Sequence, residues 1–331
     1  MTGAVARMLS AECPLTPRMS GHADDVQEWL ENRLARADLP LDRAGLDQLG
    51  RAGFARYAAR LYPDAGTPEL CAVSLLFTWF FLVDDLCDGR LGEAPDQIRA
   101  LRDGILRALR SGASARHPGF VGPLRRLLLD AFRSLRRQMP EGWRTRFTDA
   151  VAHHLDGAYR EAVNRSTGHQ PDVAEYVDLR RATSAAYVSY TLTEFVTRRP
   201  LPDAIYHHPQ LRELDTIGND LLSWFNDVVS LKRDQATSGG HNLVLALARE
   251  HGVPVTTATG MVADRWRVRM RRFTELQGAL PSFGPELDLA VADHVAVVAN
   301  SVRGTIDWSL ESARYADPPA HRYADPPAHW S

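Results

Sequence analysis

Cysteine is scarce in this 331-residue chain: Cys13, Cys71 and Cys87 are widely spaced and odd in number. That excludes a disulfide framework, argues against a zinc cluster, and predicts a reducing, cytoplasmic setting. An excess of charge is also missing, since 39 Lys+Arg face 41 Asp+Glu for a formal net charge of -2. A general nucleic-acid binder or an anionic-membrane binder is therefore not expected. The uncharged run from Cys71 to Val83 is too short to span a bilayer, and residues 1–10 lack the apolar core of a signal peptide. No membrane insertion is predicted. Period-two alternation is absent, and no Gly-rich phosphate loop follows a strand-like run.

What the chain has instead is helical periodicity. Val26, Trp29, Leu30 and Leu34 keep helical spacing, as do Leu46, Leu49, Phe54, Tyr57 and Leu61. Thr67-Pro68 reads as a cap and first turn, and Gly89 to Pro95 as the stop of the helix they open. Amphipathic segments follow at 98–109, 124–135, 143–164, 173–197 (interrupted near 182–184), 211–231, 241–251, 262–276 and 287–314. The expected fold class is all-α, with ten or more helices in a single domain. Residues 1–20 read as a flexible arm, 21–315 as the catalytic domain, and 316–331 as a Pro-rich disordered tail. That tail completes an exact repeat, Arg-Tyr-Ala-Asp-Pro-Pro-Ala-His at 314–321 and again at 322–329.

The stretch Phe77-Thr78-Trp79-Phe80-Phe81-Leu82-Val83-Asp84-Asp85-Leu86-Cys87-Asp88 ends an oily helix face in three carboxylates. Asp84 and Asp88 stack one turn apart with Asp85 beside them; Phe77, Phe80 and Phe81 share the face of Asp84. Carboxylates this close raise one another's pKa unless a cation sits among them. Hard oxygen ligands point to Mg²⁺ or a similar ion. A second constellation lies at Asn226, Ser230 and Asp234, four residues apart along one face and spanning roughly 12 Å of helix. An amide oxygen, a hydroxyl and a carboxylate in line make a cation site of lower charge, with Lys232 and Arg233 at hand for an anion.

Together, Asp84-Asp85-x-x-Asp88 and Asn226-Asp227-x-x-Ser230-x-x-x-Asp234 resemble the two motifs of bacterial class I terpene synthases, a likeness that extends over most of the chain. The resemblance implies a single helical bundle around a deep apolar pocket, with Mg²⁺, three ions counting those on bound diphosphate, at its mouth. It implies that Arg180 senses the diphosphate, that Ser184 stands at the effector position, and that Arg314-Tyr315 contacts diphosphate. Arg322-Tyr323 repeats that pair; Arg314 is favoured because it directly ends the helix carrying Trp308. Two positions depart from the family pattern: Asp234 replaces the usual Glu, and Thr183 stands where Asp is frequent.

The implied reaction is ionisation and cyclisation of a linear prenyl diphosphate, farnesyl diphosphate in preference to geranylgeranyl diphosphate, to a cyclic hydrocarbon or alcohol. Asp84, Asp85, Asp88, Asn226, Ser230 and Asp234 would hold metal, while Arg180, Lys232 or Arg233, Arg314 and Tyr315 would bind the leaving group. Phe77, Phe80, Phe81 and Trp308 would offer π-faces to a carbocation. A homodimer is compatible with this reading. The alternatives are a chain-elongating prenyltransferase, disfavoured by Asn and Ser in the second motif, and a catalytically inactive helical diphosphate binder.

Overall fold

Helices form wherever the periodicity placed them, with most ends within four residues; the one expected at 262–276 begins seven residues earlier, and Gly53 (φ 68°) splits the run from Leu46 to Leu61 into two. The computed structural model describes residues 2–39, 41–89, 91–114, 116–235, 240–312 and 314. In chain order the helices are α1 (Thr2–Glu12), α2 (Ala23–Ala35), α3 (Arg43–Ala52), α4 (Phe54–Leu61) and α5 (Thr67–Asp88). Next come α6 (Pro95–Ser111), α7 (Gly122–Gln138), α8 (Glu141–Thr167), α9 (Val173–Thr183) and α10 (Ala186–Thr197). The set closes with α11 (Asp203–Tyr206), α12 (Pro209–Gln235), α13 (Leu243–His251), α14 (Val255–Gln277) and α15 (Pro285–Glu311). No strand occurs among the described residues, so the fold is all-α.

Two helices organise the bundle. The first, α5, starts at Thr67 with Pro68 in its first turn, where the missing N–H costs nothing, and stops at Gly89. Nearly all of its apolar residues are buried, packed by α2, α4, α7, α8 and α10. Among the described residues α5 alone is long and apolar enough to cross a bilayer, being longer than the Cys71–Val83 run suggests. Its apolar window is 72% buried inside the protein, as befits a central core helix. The second, α12, is packed by α1, α9, α10, α13, α14 and α15. One apolar core gathers around α5 to α8 and the other around α12 to α15.

Buried indoles are satisfied by backbone carbonyls, which fixes neighbouring helices in register. Trp79 donates to Leu124 O at 2.9 Å, Trp143 to Thr191 O at 2.7 Å and Trp266 to Leu221 O at 3.0 Å. The segment 173–197 breaks where expected: α9 ends at Thr183, and Ala185 takes a left-handed conformation (φ 56°) before α10. A capping box at Asp172 and Glu175 starts α9.

The first twenty residues depart from the expected arm. Thr2–Glu12 is a helix that buries Ala6 and Leu9 against α12 and α14. Arg303 donates to Ser10 O at 3.0 Å and Arg267 pairs with Glu12 at 2.8 Å, tying its end to α15 and α14. Two buried small-to-medium side chains are too faint a stripe to stand out in sequence. The tail at 316–331 lies outside the described residues.

Candidate active site

A deep pocket opens between the two cores, lined from α4, α5, α8, α9, α10, α12 and α15. Its wall includes Phe77, Phe80, Phe81 and Trp308, all four of the predicted aromatics. Their rings interlock with neighbours rather than swinging free. Phe81 stacks on Phe54 at 4.3 Å between centroids, and Trp308 stacks on Tyr57 at 4.5 Å. Phe77 tilts against Tyr57 at 5.6 Å, and Phe80 meets the edge of His154 at 5.7 Å. The Trp308 indole donates to Ala52 O at 2.8 Å, which locks its ring plane.

At the mouth, Asp84 and Asp88 line the pocket as predicted. Burial, then the nearby charges of Asp88 and Asp85, push the Asp84 pKa up to about 7. The Asp84 side chain is 41% exposed, so water screens part of that repulsion. Asp85, the third expected ligand, is engaged by Arg314 in this structure. Both its oxygens accept from Arg314, Nη2 to Oδ1 at 2.9 Å and Nη1 to Oδ2 at 3.1 Å, and it is not part of the pocket lining. This fork-on-carboxylate pair holds Arg314 over the Phe81 ring, 4.8 Å from its centroid, and 3.8 Å from Asp84. Tyr315, Arg322 and Tyr323 lie outside the described residues, whereas Arg314 lines the pocket.

Facing it, α12 presents Asn226, Asp227, Arg233 and Asp234 to the pocket. Arg180 reaches across from α9, donating through Nε to Asp227 Oδ1 and through Nη2 to Asn226 Oδ1, each at 2.9 Å. Asp227 is buried; Tyr176 Oη (2.7 Å) and Leu243 N (3.0 Å) both donate to its other oxygen. Burial alone would lower the Arg180 pKa, but Asp227 and Tyr176 outweigh it and the guanidinium stays charged. Ser230 is buried outside the lining and donates to Asp234 Oδ2 at 2.6 Å. Asn242, the N-cap of α13, donates to the same oxygen at 2.9 Å and to Asp227 O at 2.8 Å. Of the two expected cations, Arg233 lines the pocket while Lys232 is exposed on the outer flank. Helical phase explains the split. Arg233 falls seven residues, nearly two full turns, after Asn226, and Lys232 about 100° away from it.

Ser184 and Ala185 line the pocket at the α9–α10 break, beside Thr183. Sequence reasoning missed a whole wall: His154, Glu161 and Arg165 of α8. They follow one another at seven and four residues, one helix face, which is the signal that could have revealed them. Arg165 lies 3.5 Å from Asp88 and 3.9 Å from Glu161, and donates to Gly92 O at 2.7 Å. Burial and the charge of Asp88 push the Glu161 pKa up to about 8. His154 is kept neutral by burial, its pKa lowered to about 4. His241 and Thr305 also line the pocket and escaped notice.

Every candidate ion ligand offers oxygen: carboxylates at Asp84, Asp88 and Asp234, an amide at Asn226 and a hydroxyl at Ser230. That donor chemistry fits a hard divalent cation. Among the described residues no three carboxylate, imidazole or thiol groups converge into a closed site. Oxygens from a ligand or from water would have to complete the coordination.

The family model for "Terpene synthase family 2, C-terminal metal binding" matches residues 75–272, a span containing both oxygen motifs. The chain belongs to the terpene synthase family. It is thus a lyase acting on prenyl diphosphates, with a metal-binding domain. The 10-epi-cubebol synthase of Sorangium cellulosum (strain So ce56) is 30% identical over 310 residues, covering 92% of this chain and 95% of that one. A (+)-T-muurolol synthase of Roseiflexus castenholzii, named as (2E,6E)-farnesyl diphosphate cyclizing, is 28% identical and covers 93% of each chain. Among solved structures, a single-residue variant of cucumene synthase superposes with a TM-score of 0.79 at 25% identity, covering 92% of this terpene synthase and 99% of that chain. Germacradien-4-ol synthase from Streptomyces citricolor shares the fold, with a TM-score of 0.78 at 23% identity over 89% and 96% of the two chains.

Proposed function

We propose that this terpene synthase ionises and cyclises farnesyl diphosphate in a Mg²⁺-dependent reaction, releasing diphosphate and a cyclic sesquiterpene hydrocarbon or alcohol. One observation carries the reading. Two oxygen-donor motifs, on α5 and α12, flank the mouth of a cavity whose wall is aromatic, with Arg180, Arg233 and Arg314 among them. The relative named for cyclising farnesyl diphosphate, matched nearly end to end, supports the C15 substrate. The setting on this reading is the cytoplasm.

Asp84, Asp88, Asn226, Ser230 and Asp234 would hold the Mg²⁺ ions, three of them with diphosphate bound. Bound ions supply Lewis-acid neutralisation of charge on the leaving group. Arg180, Arg233 and Arg314 orient the diphosphate and donate hydrogen bonds that strengthen as the C–O bond breaks. Asp85 holds Arg314 in place for that task. Phe77, Phe80, Tyr57 and Trp308 then present π-faces to the allylic cation, while Phe81, stacked on Phe54 and covered by Arg314, helps close the wall against bulk water. The cyclised cation ends by losing a proton to the released diphosphate, giving the hydrocarbon, or by adding one water and then losing a proton, giving the alcohol.

Incubating the protein with C10, C15 and C20 prenyl diphosphates in parallel, with and without Mg²⁺, tests the proposal. Diphosphate release and a C15 hydrocarbon or alcohol by gas chromatography–mass spectrometry, only with the metal, is the expected result. Binding without turnover would sink it, and preferential turnover of the C20 substrate would replace farnesyl with geranylgeranyl diphosphate.

A further inference from the structure

The α9–α10 break is held from outside by α8. Thr183, Ser184 and Ala185 line the pocket, and Ala185 keeps a positive φ of 56° without being glycine. Such a conformation persists only where its surroundings enforce it. Local bonds supply some of that enforcement. Ser184 N donates to Arg180 O at 3.1 Å, and Ser184 Oγ donates to Arg181 O at 3.3 Å. The rest comes from Gly157, in the middle of α8. A Cβ there would meet Thr183 Cγ2 at 2.8 Å, Ala182 Cβ at 2.9 Å and Thr183 N at 3.1 Å. Only a residue without a side chain allows the break to sit this close to α8.

One turn earlier, His154 lies against the backbone of Ala182 and Thr183. It is 4% exposed, its Nδ1 has no hydrogen-bond partner, and the ring packs edge-to-face with Phe80. The Thr183 methyl is therefore the group that fills the notch left by Gly157, with His154 closing one side.

We propose that Gly157 and the Thr183 methyl form a steric seat, flanked by His154, that fixes the α9–α10 break and so sets how Ser184 and Ala185 shape the pocket wall. All three are positioning residues. The proposal rests on the reading of this pocket as the site of cyclisation, and it makes the shape of the break a determinant of product ratio. The Arg180 side chain shares α9 with the break but is held separately by Asp227 and Asn226, so diphosphate affinity is expected to respond to the seat less than kcat and product ratio do.

The test compares kcat, KM and product ratio on farnesyl diphosphate for wild type, Gly157→Ala, Thr183→Ser and Thr183→Val. Gly157→Ala is expected to lower kcat about tenfold or more and to change the product ratio. KM, and the binding of inorganic diphosphate with Mg²⁺ by calorimetry, should stay within about threefold. Thr183→Val keeps the methyl and should shift kcat and products less than Thr183→Ser, which removes it. Wild-type behaviour of a folded Gly157→Ala overturns the proposal, as does a larger effect of Val than of Ser. Should Gly157→Ala not fold, the Thr183 pair decides alone. Hydrogen exchange of amides 182–188 needs no turnover, so it separates the seat from the reaction assigned to the pocket. Faster exchange is expected in Thr183→Ser than in Thr183→Val, and equal exchange counts against the seat.

Discussion

The two oxygen motifs that face each other across the pocket solve one problem in opposite ways. On α5 the carboxylates repel: Asp84 is pushed up by burial and by its neighbours, and two arginines, Arg314 and Arg165, restrain Asp85 and Asp88 from the side. On α12 the polar groups satisfy one another. Ser230 and Asn242 bond to Asp234, and Arg180 bonds to Asn226 and Asp227. The first motif is a frustrated cluster that a cation would relieve, and the second is a preorganised network whose bonds a cation would have to displace. Charge attracts at one side of the mouth, and geometry selects at the other.

Removing the attracting side should have the largest effect. Asp84→Ala is expected to cut turnover of farnesyl diphosphate on the order of 10³-fold or more, measured as diphosphate release. Near-normal activity would refute the role of the first motif. On the other side, Arg180→Met should lower stability as well as turnover, because it strands the buried Asp227 carboxylate. Breaking such a pair costs about 3–5 kcal/mol, readable as a shift of the urea midpoint. A loss below about 1 kcal/mol would mean that the α12 network is not preorganised in this way.

The frustration itself has a pH signature. The folded-state pKa of Asp84 is raised to about 7 from 3.8, so the folded state binds that proton more tightly than the unfolded chain. Its contribution to stability is present in full below about pH 4 and is lost as pH rises through about 7. Metal-free wild type should therefore lose Tm across that window relative to Asp84→Asn, and saturating Mg²⁺ should remove the difference. Parallel Tm curves for the two proteins would contradict it. The smallest effect belongs to Lys232→Ala, expected to leave kcat/KM within about twofold because the side chain faces outward.

Legibility in the sequence followed the same divide. Both motifs were readable because their chemistry is dense and local: helical spacing alone aligned Asp84 with Asp88 and Asn226 with Ser230 and Asp234. The Arg180–Asn226 link came from family resemblance, and the structure brings the two side chains together. Partners supplied from distant helices were not readable. Nothing near Asp85 indicates that Arg314 takes both its oxygens, and nothing near Asp88 indicates Arg165. The α8 wall was lost because its polar residues look like ordinary surface positions until α8 is known to face the cavity. Arg233 over Lys232 was decidable from helical phase. The α1 helix was hidden because it buries only two side chains, Ala6 and Leu9, too few to mark a stripe.

The central claim is that both motifs hold divalent ions around one diphosphate. Crystals grown with Mn²⁺ in place of Mg²⁺ and with inorganic diphosphate test it most directly, since anomalous scattering locates each ion. Peaks are expected at Asp84 and at the Asn226, Ser230 and Asp234 group, with diphosphate between them and within reach of Arg180 and Arg314. Ions at only one motif, or diphosphate bound away from both, would contradict it.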